Sequence, residues 1–244
     1  VDDICVDVGS GRPMNRWLQG DVGSGKTVVA ALAAMMVTRS GAQVAIMAPT
    51  SILAEQHFRN FSQFLVGEGL LAEGQVRLLT GDTANGERVS IQEGLASGEV
   101  KVLIGTHALI EEPVQFKDLQ LVVIDEQHRF GVEQRAALRS KGTNPHLLVM
   151  TATPIPRSLA LTLYGDLDIS IMDEMPPGRQ TIATHLLTPQ ERERAYTLVE
   201  SQVRSGSQAF IIYPLIEESE KSDLLAATSE HARLQKDVFP DRRL

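Results

Sequence analysis

An α/β fold, a parallel sheet wound on both faces by helices, is predicted by three observations. Short, wholly apolar runs of strand length recur along the 244 residues, and stretches of helical periodicity separate them. A glycine-rich turn, Gly20-Asp21-Val22-Gly23-Ser24-Gly25-Lys26-Thr27, stands between the first such run and the first helix. A run such as Leu121-Val122-Val123-Ile124, with no polar alternation, is buried on both faces, which a helix-covered parallel sheet provides.

In chain order, strands are predicted at residues 16–19, 44–48, 76–79, 102–104, 121–124, 147–150 and 169–172. Helices are predicted between several of them, at 27–39, 52–65, 87–95, 133–139 and 156–163. Val8-Gly9-Ser10-Gly11 repeats part of the glycine turn, but Arg12-Pro13 follows it, so 9–13 reads as a plain loop. Met175-Pro176-Pro177-Gly178 continues neither a helix nor a central strand, which makes 173–180 a hinge. Beyond it the alternation restarts, with strands at 182–187 and 209–213 and helices at 189–204 and 224–238. Two strands and two helices are too few to close a domain of usual size. Residues 1–172 therefore read as one domain and 181–244 as the incomplete N-terminal part of a second.

Composition narrows the function classes. A content of 43% hydrophobic and 22% charged residues is that of a soluble globular protein. No apolar run reaches the roughly 18–20 residues of a membrane span, and no secretory signal opens the chain. It begins at Val1, as a piece of something longer would. The single cysteine, Cys5, permits no internal disulfide and suits a reducing cytoplasm. The six histidines lack metal-ligand spacing. A net charge of −8 argues against gripping nucleic acid by bulk positive charge, while leaving room for a local basic track.

The chemistry lies in the motifs. Gly20 to Thr27 fits the phosphate-cradling pattern G-x-x-x-x-G-K-[ST] at every fixed position. Glycines let backbone N–H groups turn toward phosphate oxygens, and a helix N-terminus adds partial positive charge. Lys26 would neutralise the β- and γ-phosphates of a nucleotide, and the Thr27 hydroxyl would ligate Mg²⁺. The alternative is a glycine turn that merely precedes a lysine. Asp125-Glu126-Gln127-His128 follows an apolar strand and so reaches the carboxyl edge of the sheet, where the phosphate loop also opens. Asp125 could hold the Mg²⁺, and Glu126 could orient or deprotonate the attacking water. Thr151-Ala152-Thr153-Pro154-Ile155-Pro156-Arg157 ends another strand, with hydroxyls able to bond a carboxylate or His128; a capped helix start is the plainer reading.

Together these three strings resemble motifs I, II and III of superfamily 2 helicases and translocases, which implies RecA-like phosphate-loop NTPase domains. Asp125 to Val132, Thr153 to Leu167, Met175 to Arg179 and Ile211 to Ser219 are similar to the RecG family of bacterial branched-DNA helicases, from about Pro13 to the end. The Mfd translocases are a less similar alternative at Gln127-His128. The resemblance implies ATP and Mg²⁺ as cofactors, with catalytic roles for Lys26, Asp125, Glu126 and His128. It implies DNA contacts at Thr50, Ser51, Gln56, Thr106 and His107, for which ordinary helix capping by the threonines is the alternative. It implies coupling of hydrolysis to movement through Thr151, Thr153 and Arg157. It also implies a monomer in the bacterial cytoplasm, associated with the nucleoid, acting on branched or double-stranded DNA at stalled forks and Holliday junctions. An N-terminal wedge domain and the rest of the second motor domain would complete it. No adenine-reading glutamine precedes the loop except Gln19 within a strand, and no glycine-flanked arginine finger is present, so the isolated chain is expected to turn over ATP slowly if at all. A non-motor ATP-binding module is the remaining alternative.

Overall fold

The computed structural model describes residues 1–126, 132–153, 167–174, 182–212 and 230–243. The chain divides into two compact units, Val1–Arg179 and Gln180–Leu244.

The first unit is built on a seven-stranded sheet, all of whose pairings are parallel. Its strands are β1 (Asn15–Gly20), β2 (Gln43–Met47), β3 (Val76–Leu79), β4 (Val102–Gly105), β5 (Leu119–Asp125), β6 (His146–Thr151) and β7 (Asp168–Met172), in the spatial order β3-β4-β2-β5-β6-β1-β7. The described helices are α1 (Asp2–Gly9), α2 (Lys26–Arg39), α3 (Ser51–Leu65), α4 (Asn85–Ser97) and α5 (Val132–Arg139), with a 3₁₀ turn at His107–Ile110. The seven strands fall where the apolar runs predict them, within a residue or two. Helix α1 was not anticipated. The helix expected at 156–163 lies outside the described residues.

Successive strand residues serve opposite faces of the sheet. Val44, Ile46, Val102, Ile104, Leu121 and Val123 pack under α1, α2 and α3, while Ala45, Met47, Leu103, Val122, Ile124 and Val149 meet α4, α5 and the 3₁₀ turn. That division explains the unalternating runs: both faces are dry. Helix α2 lies close on the sheet because its inner residues are small, with Ala30, Ala33 and Ala34 essentially without exposure. Helix α3 is amphipathic instead, burying Ala54, His57, Phe61 and Leu65 at three- and four-residue spacing and exposing Glu55, Gln56 and Arg59. Thr50 caps it, its hydroxyl accepting from Leu53 N–H at 3.3 Å.

In the second unit, Thr188 and Glu191 form a capping box at a 3₁₀ turn that leads into the helix Arg192–Arg204. Tyr196, Leu234 and Phe239 make a small core there. Among the described residues the strands predicted at 182–187 and 209–213 do not form: 182–188 and 207–212 carry no strand pairing, and 213 lies outside the described residues. A strand is defined by its ladder of hydrogen bonds, and the described residues of this unit offer neither run a partner. Of the helix predicted at 224–238, residues 224–229 lie outside the described residues, 230–233 are α-helical, and the end is a π-helical turn, Leu234–Val238.

Candidate active site

β1 ends at Gly20, α2 begins at Lys26, and the loop between them bends through two glycines in the left-handed region, Gly23 at φ 83° and Gly25 at φ 96°. An L side chain is strained in that region, so the loop requires glycine at both places. Gly20 is needed for space: a Cβ there would stand 2.6 Å from Ser24 Oγ and 3.0 Å from Met172 Cβ. Asp21 steadies the turn, its carboxylate accepting from Val22 N–H at 2.7 Å and its carbonyl from Ser24 N–H at 3.1 Å. Val22 at the crest is well exposed.

Lys26 reaches back over the loop and donates to the carbonyls of Gly20 at 2.7 Å and Asp21 at 2.9 Å. Burial pushes its pKa below the usual lysine value, while the negative charges of Asp125, Glu126 and Asp21 act in the opposite direction. Those opposing charges follow from the topology. β5, β6 and β1 lie side by side with Asp125 opposite Met150 and Thr151 opposite Gln19, so the acidic pair and the lysine loop open on one rim.

Asp125 closes β5. Its Oδ2 accepts from His57 Nε2 at 2.7 Å and its Oδ1 from Glu126 N–H at 3.1 Å. Glu126 stands at φ 50° with its N–H also directed to Met150 O at 3.0 Å. Its Oε1 accepts from Ala152 N–H at 3.4 Å, which ties the acidic pair to the segment after β6. There Thr151 is buried, its hydroxyl accepting from Thr153 N–H at 3.1 Å. Thr27 is half-buried in the first turn of α2. His128 and Arg157 lie outside the described residues.

The residues expected to touch DNA share the carboxyl rim. Thr50, Ser51 and Gln56 open α3 after β2, with Thr50 and Gln56 exposed and Ser51 half-buried; Thr106 and His107 follow β4. His107 is exposed, whereas Thr106 is 4% exposed and its hydroxyl has no hydrogen-bond partner among the described residues. The 3₁₀ turn folds over it, Leu109 N–H donating to Thr106 O at 3.1 Å. Thr106 is thus a buried residue of this rim. His57 was missed altogether, although a histidine on the apolar stripe of α3 is visible in the sequence.

The donor set fits a nucleotide with a hard cation. Ser24 Oγ is buried under the loop without a partner among the described residues, where an acceptor oxygen of a phosphate would satisfy it. Among the described residues no three His, Cys, Asp or Glu side chains cluster into a self-sufficient metal site. A single carboxylate and a hydroxyl are the protein ligands that Mg²⁺ uses when phosphates and waters complete its shell. Nor, among the described residues, is any helix long and apolar enough to cross a membrane.

A glycine loop and an acidic pair thus share the carboxyl rim of a parallel sheet, two strands apart, and the chain belongs to the DEAD/DEAH box helicase family, whose pattern matches residues 4–162. It is similar to proteins named ATP-dependent DNA helicase RecG: 52% identity to that of Aquifex aeolicus over the entire chain, and 52% to that of Thermotoga maritima over 99% of it. The chain spans about 30% of the length of each. A solved structure of RecG bound to a three-way DNA junction matches 98% of this chain and 30% of its own, with 47% identity and a TM-score of 0.77. The Hef helicase domain of Pyrococcus furiosus, 21% identical, covers 96% of this chain and 53% of its own with a TM-score of 0.56, a likeness of fold.

Proposed function

We propose that this chain is the nucleotide-binding motor portion of a RecG-type ATP-dependent DNA helicase that remodels branched DNA. The observation that carries the reading is the convergence of Lys26 with Asp125 and Glu126 on one rim, in a chain about half identical to RecG proteins along its whole length. That extent of identity favours a RecG-type enzyme over an Mfd-like translocase or a non-motor ATP-binding module.

In this reading the loop Gly20 to Thr27 cradles the phosphates, and Lys26 exchanges its two carbonyl partners for phosphate oxygens. Thr27 and Asp125 would hold Mg²⁺, which when bound neutralises phosphate charge. Glu126 orients the attacking water, and His128 belongs to the same motif. Glu126 is bonded to the segment containing Thr151 and Thr153, so a change at the water site reaches that coupling stretch, to which Arg157 also belongs. Thr50, Ser51, Gln56, Thr106 and His107 supply the DNA face on the same rim. We assign residues 1–172 to the first motor domain, 173–180 to the hinge and 181–244 to the beginning of the second domain, in a monomeric bacterial cytoplasmic protein acting at the nucleoid.

The test uses the intact protein that contains this chain. ATP hydrolysis stimulated by a three-way junction, and unwinding of that junction, are expected to fall by at least ~10²-fold in Lys26→Ala while junction binding persists. Stimulated hydrolysis that survives Lys26→Ala would overturn the reading.

A further inference from the structure

His57 is an unusual core residue. It lies in the middle of α3 with 6% exposure, edge-on to the Phe61 ring at 6.4 Å. Its Nε2 meets Asp125 Oδ2 at 2.7 Å, while its buried Nδ1 has no hydrogen-bond partner among the described residues. A carboxylate oxygen only accepts, so Nε2 carries a proton toward Asp125, while Nδ1 is a buried polar atom left unmatched among the described residues. An unmatched buried polar atom opposes folding, and a leucine at this position of the apolar stripe would avoid it. Packing alone therefore does not account for the imidazole. What it does provide is the second anchor of Asp125. Glu126 N–H holds Oδ1, His57 holds Oδ2, and with both oxygens tethered the carboxylate plane cannot rotate about its terminal bond. Each oxygen keeps a further lone pair for a cation.

We infer that His57 is a positioning residue for the metal-holding carboxylate, fixing the orientation of Asp125 from the neighbouring helix. This rests on the assignment of Asp125 to the nucleotide-bound cation. Partners that orient a ligating carboxylate typically contribute a factor of about 10–100 to metal affinity.

The experiment measures Mn²⁺ binding to the ADP complex of the intact protein by electron paramagnetic resonance, alongside ADP binding without metal and thermal unfolding. His57→Leu is expected to weaken Mn²⁺ about tenfold, leaving metal-free ADP affinity and the melting temperature near those of the parent. His57→Gln, whose amide N–H reaches the former Nε2 position, is expected to bind Mn²⁺ within about threefold of the parent, and His57→Asn, too short, to resemble the leucine variant. Unchanged Mn²⁺ affinity in His57→Leu, or equal losses in the Gln and Asn variants, overturns the inference. Should the leucine variant fail to fold, the Gln and Asn pair decides by the same criterion. Asp125→Asn separates the two levels: if it binds Mn²⁺ like the parent, the assignment of Asp125 itself fails, whatever His57 does.

Discussion

Glu126 is held in the left-handed region at φ 50° while its N–H points to the carbonyl of Met150, one strand away. A residue with a Cβ pays about 1–2 kcal/mol to stand there. The neighbouring strand dictates the conformation, and its consequence is that the carboxylate emerges beside Asp125 instead of continuing the strand. Strain of this kind concentrates where geometry serves chemistry. Glu126→Gly is expected to stabilise the protein by up to ~1 kcal/mol in chemical denaturation while abolishing ATP hydrolysis. Glu126→Gln is expected to lower kcat by ~10²–10³-fold with nucleotide affinity retained, as measured in steady-state and equilibrium binding assays on the intact protein. A variant that loses binding and turnover together would show that Glu126 serves the pocket's structure and not the water.

Gln43 is a buried clamp at the opposite rim. Its amide N–H groups donate to Leu95 O at 2.9 Å and Val100 O at 2.8 Å, and its Oε1 accepts from Asp118 N–H at 2.9 Å. Gln43→Leu keeps the bulk but strips three bonds from the junction of β2, α4 and the approach to β5. A loss of ~2–3 kcal/mol in urea unfolding is expected, with no change in nucleotide affinity.

Gly105 ends β4 where Leu79 and Leu109 leave no room: an added Cβ would collide with the Leu79 carbonyl and the Leu109 side chain. Backbone on one side and core on the other cannot both yield. Gly105→Ala is expected to destabilise by ~3 kcal/mol or more, whereas Gly81→Ala, with nothing within 4 Å of its Cβ position, serves as the silent control in the same melts.

His146 gives the fold a sensitivity to acid. Met14 N–H donates to its Nδ1 at 2.8 Å, which requires that nitrogen to be unprotonated, and burial pushes the pKa below its ordinary value of 6.5, Asp7 acting weakly the other way. Below that ordinary value the unfolded chain takes up the proton more readily than the folded one. The contribution is therefore complete above about pH 6.5 and is lost as pH falls through the depressed pKa. His146→Asn, whose Oδ1 can accept from Met14 without titrating, is expected to narrow the difference in melting temperature between ~pH 5 and ~pH 7.5. An unaltered difference would place the acid sensitivity elsewhere.

The apolar runs carried most of the sheet, because strands buried on both faces leave an unbroken hydrophobic signature. Leu121 to Ile124 and Val44 to Met47 were legible for that reason. The turn between β1 and α2 was legible because its glycines answer to backbone conformation, a constraint written in single residues. What stayed hidden was relational. The strand order β3-β4-β2-β5-β6-β1-β7 depends on crossovers that no local pattern records, although the shared carboxyl rim of Lys26 and the acidic pair was expected. His57 was passed over because its role exists only through Asp125, 68 positions away. Thr106 was expected at the DNA face by resemblance alone, and its burial is decided by the turn that folds over it. The runs at 182–187 and 209–213 had strand composition but no described neighbour to pair with, and propensity without a partner makes no ladder.

Met172 is the last residue of the edge strand β7, paired in register with Gly20 at the mouth of the loop. A methyl group on Gly20 would meet its Cβ, and one on Gly25 would come within 3.7 Å of its Cε. The turn into α2 and the margin of the sheet are thus in close contact, with two bare α-carbons at the points of approach. Enlarging either α-carbon would press directly on the outermost strand of the sheet.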